Sequence, residues 1–301
     1  LLTFKDGTLW QSSTIQNFDM DGMNLQMQVQ SGRIRRRAVN LLNDVSISLD
    51  PNEFVAIIGG SGSGKSTLLR ALNGANQATG GQVLVNGDNL YANYELYQPV
   101  IGYVPQTDIV QSNLTVRETL TFGARMRFPN EPEVSRVQRV DRVIEQLQLK
   151  EAQGTLVGRL SGGQKKRVSI AMELMAEPHL LFMDEPSSGL DPGLDRSMME
   201  TLRRLASRGN IVVVVTHTTL NIGMCDKLAI MSRGYLTFYG PPKEALAFFG
   251  VRDYTELYNR VLHAPDSRAS RDIDPKEAAR LWSEAFKKTA YYEQFVIKRQ
   301  A

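Results

Sequence analysis

Residues 59–67 read GGSGSGKST, and the first eight of them, Gly59, Gly60, Ser61, Gly62, Ser63, Gly64, Lys65 and Ser66, fit the spacing G-x-x-x-x-G-K-[ST]. Glycines at these places let backbone N–H groups turn inward around phosphate oxygens. Lys65 then supplies a point charge to a β/γ-phosphate, and the Ser66 hydroxyl can ligate Mg²⁺. An apolar run precedes the loop and a helical pattern follows it, which a flexible surface loop would not require. A second element of the same chemistry is LLFMDEP. Asp184 closes an apolar stretch, where a carboxylate is costly unless it meets a cation. Glu185 follows directly, and a carboxylate beside a metal ligand suits a general base that polarises water. The plainer alternative is that Glu185 pairs with a neighbouring cation. His217 closes IVVVVTH, where an imidazole can face a γ-phosphate. Gln106, in YVPQTD, offers a neutral amide to a metal or a water.

A second glycine segment, LSGGQ at residues 160–164, leads into QKKRVSIAMELMA, which reads as a helix. Lys165, Lys166 and Arg167 at a helix start oppose the macrodipole unless an anion sits there. Ser161, Gly162, Gly163 and Gln164 therefore form a second candidate anion site. The three cations are expected to act as a positive surface or to be solvated.

The elements that position these residues alternate in type. EFVAIIGG, LLFMDEP and IVVVVTH are apolar runs of the kind buried on both faces of a parallel sheet. SGSGKSTLLRALNG is a turn and a helix ending at Gly74, and DRSMMETLRRLASRG is a second helix. MNLQMQVQ and VSISLD alternate as half-exposed strands, with SGRIRRR as the turn between them, and GQVLVNGDNLY reads as a strand pair turning at Asn86-Gly87. KLAIMSRGYLTFYG reads as a hairpin. TVRETLTFGARMRF and VSRVQRVDRVIEQLQL are helical. Strands alternating with helices predict an α/β fold with a mostly parallel sheet, in which phosphate ligands bind at the carboxyl ends of the strands.

The chain has 301 residues, 42% apolar and 22% charged, with a net charge of +3. This suits a sizeable core and excludes wholesale disorder. Such a small charge gives no argument for nucleic acid. Cys225 is the one cysteine, so no internal disulfide forms; it reads as a small buried residue. No apolar window is long enough to span a membrane. The first ten residues lack the pattern of a signal peptide, and a start without Met is expected of a piece cut from a longer chain.

Taken together these residues resemble the ATP-binding cassette of ABC transporters, over residues 40–240 or so. Residues 59–67, Thr67 included, resemble the Walker A loop, Gln106 the Q-loop, and residues 160–164 the signature motif. Residues 182–185 resemble the end of the Walker B strand, 188–191 the D-loop with Asp191, and His217 the switch histidine. NLTVRETLTFGARMRFP and GYLTFYGPPKEALAFFG resemble the G subfamily, which is built of half-transporters. DVSISLDPNEFVAIIGGSGSGKSTLLRALNG also resembles a bacterial branch with a forkhead-associated domain before the cassette.

The resemblance implies a P-loop NTPase core with an N-terminal antiparallel β subdomain and an α-helical subdomain at about 107–160. Residues 1–22 would be a linker or the tail of a preceding domain, 23–245 the cassette, and 246–301 a helical extension leading towards a membrane domain. It implies ATP and Mg²⁺ as cofactors, with Ser66, Gln106 and Asp184 at the metal. Glu185 would be the base, with His217 and Gln106 at the γ-phosphate and the attacking water. Two copies would dimerise head to tail, so that Ser161, Gly162, Gly163, Gln164 and Asp191 of one chain meet ATP on the other. The partners implied are a second nucleotide-binding domain, as a homodimer, and a transmembrane permease domain fused C-terminally, with no nucleic acid. The place implied is the cytoplasmic face of the plasma (inner) membrane, and the work export. The alternative is a non-transport cassette ATPase acting on nucleic acid or the ribosome. Those carry two cassettes or a long coiled-coil insertion, and this sequence has neither. One departure is the region VQSGRIRRRAV, which has no aromatic to stack on adenine. Val29 or an arginine plane from residues 33–37 is the available substitute. The arginine run otherwise reads as a solvated hairpin tip or a contact for anionic lipid.

Overall fold

Apolar runs without a polar interruption make the centre of the fold. The computed structural model describes residues 2–5, 8–11, 18–31, 37–107, 110–188, 192–265 and 273–298. First in the chain is a short antiparallel pair, β1 (Leu2–Lys5) and β2 (Thr8–Gln11). A long hairpin follows, β3 (Met20–Ser31) and β4 (Arg37–Leu49), and β6 (Gly80–Val85) with β7 (Asp88–Asn89) completes its antiparallel sheet in the order β4-β3-β6-β7. The second sheet holds β5 (Phe54–Ile58), β8 (Ile101–Val104), β9 (Leu180–Asp184), β10 (Ile211–Val215), β11 (Lys227–Ser232) and β12 (Tyr235–Gly240). Its order is β12-β11-β5-β10-β9-β8, parallel except for β12. Every residue of β5, β9, β10 and β11 is buried, which requires cover on both faces.

Helices supply that cover. α1 (Lys65–Leu72) packs on β9 and β10, while α6 (Pro192–Ala206) packs on β5 and β10. The short α2 (Tyr94–Tyr97) precedes β8. α3 (Val116–Arg127) and α4 (Glu133–Gln146) pack on each other and on α5 (Gly162–Leu174), forming a helical layer over the β8 edge. A capping box of Thr115 and Glu118 starts α3.

The chain after β12 folds back. α7 (Pro242–Phe249) and α8 (Tyr254–Arg260) pack together, and α9 (Pro275–Lys287) and α10 (Ala290–Tyr292) lie on β12. Phe238 meets Phe248, Phe249, Phe286 and Tyr291, and Trp282 closes this aromatic cluster from α9.

Several expected boundaries shift. β3 begins at Met20, and both Phe18 and Met20 are buried, so the folded sheet reaches back across the expected 22/23 boundary. The 245/246 boundary falls inside α7. Described residues after 246 on α7–α10 pack against the cassette core. VSISLD is the end of a 13-residue strand, because its pairing with β3 continues past register shifts that an alternation pattern does not reveal. Residues 32–36, the greater part of the arginine run, lie outside the described residues. No helix among the described residues is long and apolar enough to cross a membrane.

Candidate active site

Four neighbouring parallel strands end on one side of the sheet, and each delivers one part of the site. β5 runs into residues 59–64, β10 into His217, β9 into Asp184 and Glu185, and β8 into Gln106. This is the carboxyl edge at which open α/β sheets bind ligands.

The loop after β5 is shaped by close approach. Gly59 has φ 150°, and a Cβ there would lie 2.1 Å from the Met231 carbonyl oxygen. Gly64 has φ 100°, and its Cβ would lie 2.8 Å from the Leu41 carbonyl oxygen. Glycine is thus required where β11 and β4 crowd the loop from outside. Gly64 is also the N-cap of α1 and gives no side-chain cap, so the first-turn N–H groups stay available to a ligand. Lys65 is buried, and its ammonium donates to the carbonyls of Gly59 at 2.8 Å and Gly60 at 3.0 Å. Burial pushes the Lys65 ammonium below its usual range, while Glu185 and Asp184 pull it back up.

Below the loop the Ser66 hydroxyl donates to Asp184 Oδ1 at 3.0 Å. Asp184 is 1% exposed, and among the described residues its other oxygen, Oδ2, has no hydrogen-bond partner. Among the described residues Arg70 forms its ion pair, with Nη2 3.8 Å from Oδ2, and the Arg70 Nε donates to Tyr103 Oη at 3.4 Å. A buried carboxylate oxygen left this open, beside a hydroxyl, fits a divalent cation held by one or two carboxylates plus phosphate oxygens.

Glu185 turns the chain sharply. Its φ is 51°, in the left-handed region, and its N–H donates to the Val215 carbonyl at 2.9 Å. A non-glycine residue held this way stores strain, and such strain collects at active sites. The turn swings its carboxylate towards Gln106, whose Nε2 donates to Glu185 Oε2 at 2.9 Å. Among the described residues no hydrogen bond joins the Gln106 side chain to Ser66 or Asp184. His217 stands two residues beyond the end of β10, and its Nδ1 is 3.7 Å from Glu185 Oε1, outside hydrogen-bond range. Its backbone carbonyl accepts from Tyr258 Oη of α8 at 3.4 Å.

The second glycine segment is organised separately. Ser161 is the N-cap of α5, which starts two residues earlier than the reading from Gln164. Gln164 N–H donates to Ser161 Oγ at 3.3 Å, and Ser161 N–H donates to Gln164 Oε1 at 3.1 Å. Ser161 and Gly162 are exposed, and no hydrogen bond among the described residues joins 161–164 to 59–67. Of the three cations, Lys166 departs from expectation. It is buried, and its Nζ donates to the carbonyls of Pro105 and Gln106. A positive surface here therefore excludes Lys166. Asp191 lies outside the described residues. Tyr258, Arg70 and Tyr103 were not singled out from the sequence. For Tyr258 the available signal was the apolar spacing of Tyr254, Leu257, Tyr258 and Val261 along α8 and its C-cap.

A phosphate loop between β5 and α1, facing adjacent carboxylates at the end of β9, defines a P-loop NTPase domain. Residues 42–188 match the ABC transporter family. The chain belongs to that family. It is 41% identical over 233 residues to an ABC transporter ATP-binding/permease protein of Mycobacterium tuberculosis, covering 77% of this chain and 27% of that protein. It is 38% identical over 219 residues to ABC transporter G family member 5 of Oryza sativa subsp. japonica, covering 69% of this chain and 28% of that protein. The chain thus spans about a quarter of these relatives' lengths, 27% and 28%. The solved ATP binding subunit of an ABC transporter is similar to it with a TM-score of 0.65 at 26% identity, covering 80% of this chain and 98% of that one.

Proposed function

We propose that this domain hydrolyses ATP as one half of a head-to-tail dimer and powers export through a transmembrane permease domain, fused C-terminally, at the cytoplasmic face of the membrane. The observation that carries the catalytic reading is the strained Glu185. Its carboxylate accepts from Gln106, and the residue before it, Asp184, holds the Ser66 hydroxyl and an open buried oxygen.

Residues 59–67 cradle the phosphates, with the N–H groups of the first turn of α1 and the Lys65 ammonium facing their charge. On nucleotide binding Lys65 exchanges the carbonyls of Gly59 and Gly60 for phosphate oxygens. Ser66 and Asp184 would hold Mg²⁺, which supplies charge neutralisation on the β- and γ-phosphates. Glu185 takes a proton from the attacking water as the water oxygen bonds to the γ-phosphorus. The bond from that phosphorus to the bridging oxygen breaks, leaving ADP and phosphate. Gln106 keeps the carboxylate aimed, and His217 faces the γ-phosphate. Ser161, Gly162, Gly163 and Gln164 present a capped helix start, exposed at Ser161, Gly162 and Gln164, to ATP on the partner, and Asp191 crosses the dimer interface. The membrane role is supported by the relatives, one an ATP-binding/permease protein and the other a G family member.

Glu185→Gln tests the base. Phosphate release is expected to fall by about 10²–10⁴-fold, with ATP still bound and an ATP-dependent dimer accumulating on size exclusion. Turnover at the wild-type rate in this variant overturns the assignment.

A further inference from the structure

Lys166 lies in the second turn of α5, two residues past Gln164, and is only 6% exposed. A cation is buried at this depth only when hydrogen bonds replace its water. Here Nζ donates to the Pro105 carbonyl at 2.8 Å and to the Gln106 carbonyl at 2.9 Å. These are charge-assisted bonds, stronger than neutral ones. They fall just where β8 stops pairing, at Val104 opposite Met183. Gln106 is therefore held from behind through its backbone while its side chain, in front, donates to Glu185 Oε2 at 2.9 Å. Through this one residue the helix that carries residues 161–164 touches the carboxylate beside residues 59–67.

We propose that Lys166 is a positioning residue. It fixes the backbone at 105–106 so that the Gln106 amide rests on Glu185, and it ties the segment that meets the partner's ATP to the base that serves the chain's own ATP. The proposal rests on the reading of Glu185 and of residues 161–164 given above. α5 is a capped helix, so a shift of its N-terminus on meeting a γ-phosphate carries Lys166 with it. The carbonyls that Lys166 holds must follow or lose their donor. Removing the ammonium leaves Gln106 free to leave the carboxylate.

The test measures ATP turnover against ATP concentration in the 301-residue chain. Lys166→Met keeps the length of the side chain without its charge. We expect its kcat to fall by about tenfold to a hundredfold, the cost of misplacing a group near the chemistry. KM for ATP should stay within about twofold, because the phosphate loop is untouched. Lys166→Arg should recover most of kcat, since it restores a cationic donor. In a Gln106→Ala background Lys166→Met should cost no further activity, because the two residues act in series. Should Lys166→Met not fold, Lys166→Gln takes its place with the same expectations. Wild-type kcat in Lys166→Met, a change in KM alone, or losses that multiply in the double variant would each overturn the proposal. Glu185→Gln separates the two levels. If that variant still turns over, the reading of the base fails. If it is inactive while Lys166→Met is fully active, only the role of Lys166 fails.

Discussion

Glu185 is held at φ 51° by the turn that follows β9, and this gives a stability prediction opposite in sign to its effect on activity. A β-carbon in the left-handed region costs about 1–2 kcal/mol. Glycine escapes that cost but loses about 0.5–1 kcal/mol more chain entropy on folding than a residue with a side chain. The difference favours Glu185→Gly over Glu185→Ala by about 0.5–1 kcal/mol, given that neither variant keeps the carboxylate or its bond from Gln106. Glu185→Asn should fall between them, because asparagine tolerates this region. Urea unfolding without nucleotide reads the order directly. For a chain of this size the gain corresponds to about 1–2 °C in melting temperature. All three variants should lose most ATP turnover. A glycine variant no more stable than the alanine one would refute the claim that the turn is strained. It would also remove the argument that the strain serves to aim the carboxylate.

Two further predictions concern the far end of the sheet. Lys227 is buried at the start of β11, with Nζ 2.7 Å from Glu53 Oε1 and 3.1 Å from Asp50 Oδ2. Lys227→Met strands the Asp50 carboxylate, while Glu53, freed from the pull of Lys227, stays protonated at neutral pH; the variant should cost about 1–3 kcal/mol in urea unfolding there, and a loss under about 0.5 kcal/mol would show the cluster to be solvated. Burial pushes the Glu53 carboxyl up from 4.5 to about 7, against the pull of Lys227. The folded chain therefore holds this proton more tightly than the unfolded chain. The contribution to stability is full below about 4.5 and is lost as pH rises towards about 7. Subtracting the unfolding free energy of Glu53→Gln from that of wild type should give a difference that falls between these limits; a rising difference contradicts the assignment.

Much of the site was legible because phosphate binding is written in contiguous residues. The spacing of Gly59, Gly64, Lys65 and Ser66 demands a strand before and a helix after, and β5 and α1 occupy those places. Asp184 stood out as a carboxylate at the end of an apolar run, and it is buried on β9. Lys166 misled because KKR reads as a solvated cluster. Its spacing from Gly163, Ile170 and Leu174, all buried, was the signal that it faces inward. The packing across 22/23 and 245/246 was not legible for another reason. Phe18 and the aromatics of α7 and α9 are recruited by surfaces made elsewhere in the chain, and no local pattern records that.

The sequence by itself carried the family, the strand–glycine turn–helix pattern around residues 59–67, the carboxylates at the end of an apolar run and the second glycine segment, since each depends on residue types a few positions apart. Only the tertiary structure decided which of them touch. Ser66 meets Asp184 across 118 residues, Gln106 meets Glu185 across 79, and Lys166 reaches Gln106 across 60. Those meetings follow from the strand order β5-β10-β9-β8 and from the end of α5 that lies over β8. Such an order is set by how buried faces pack over long separations, and no spacing within a motif specifies it.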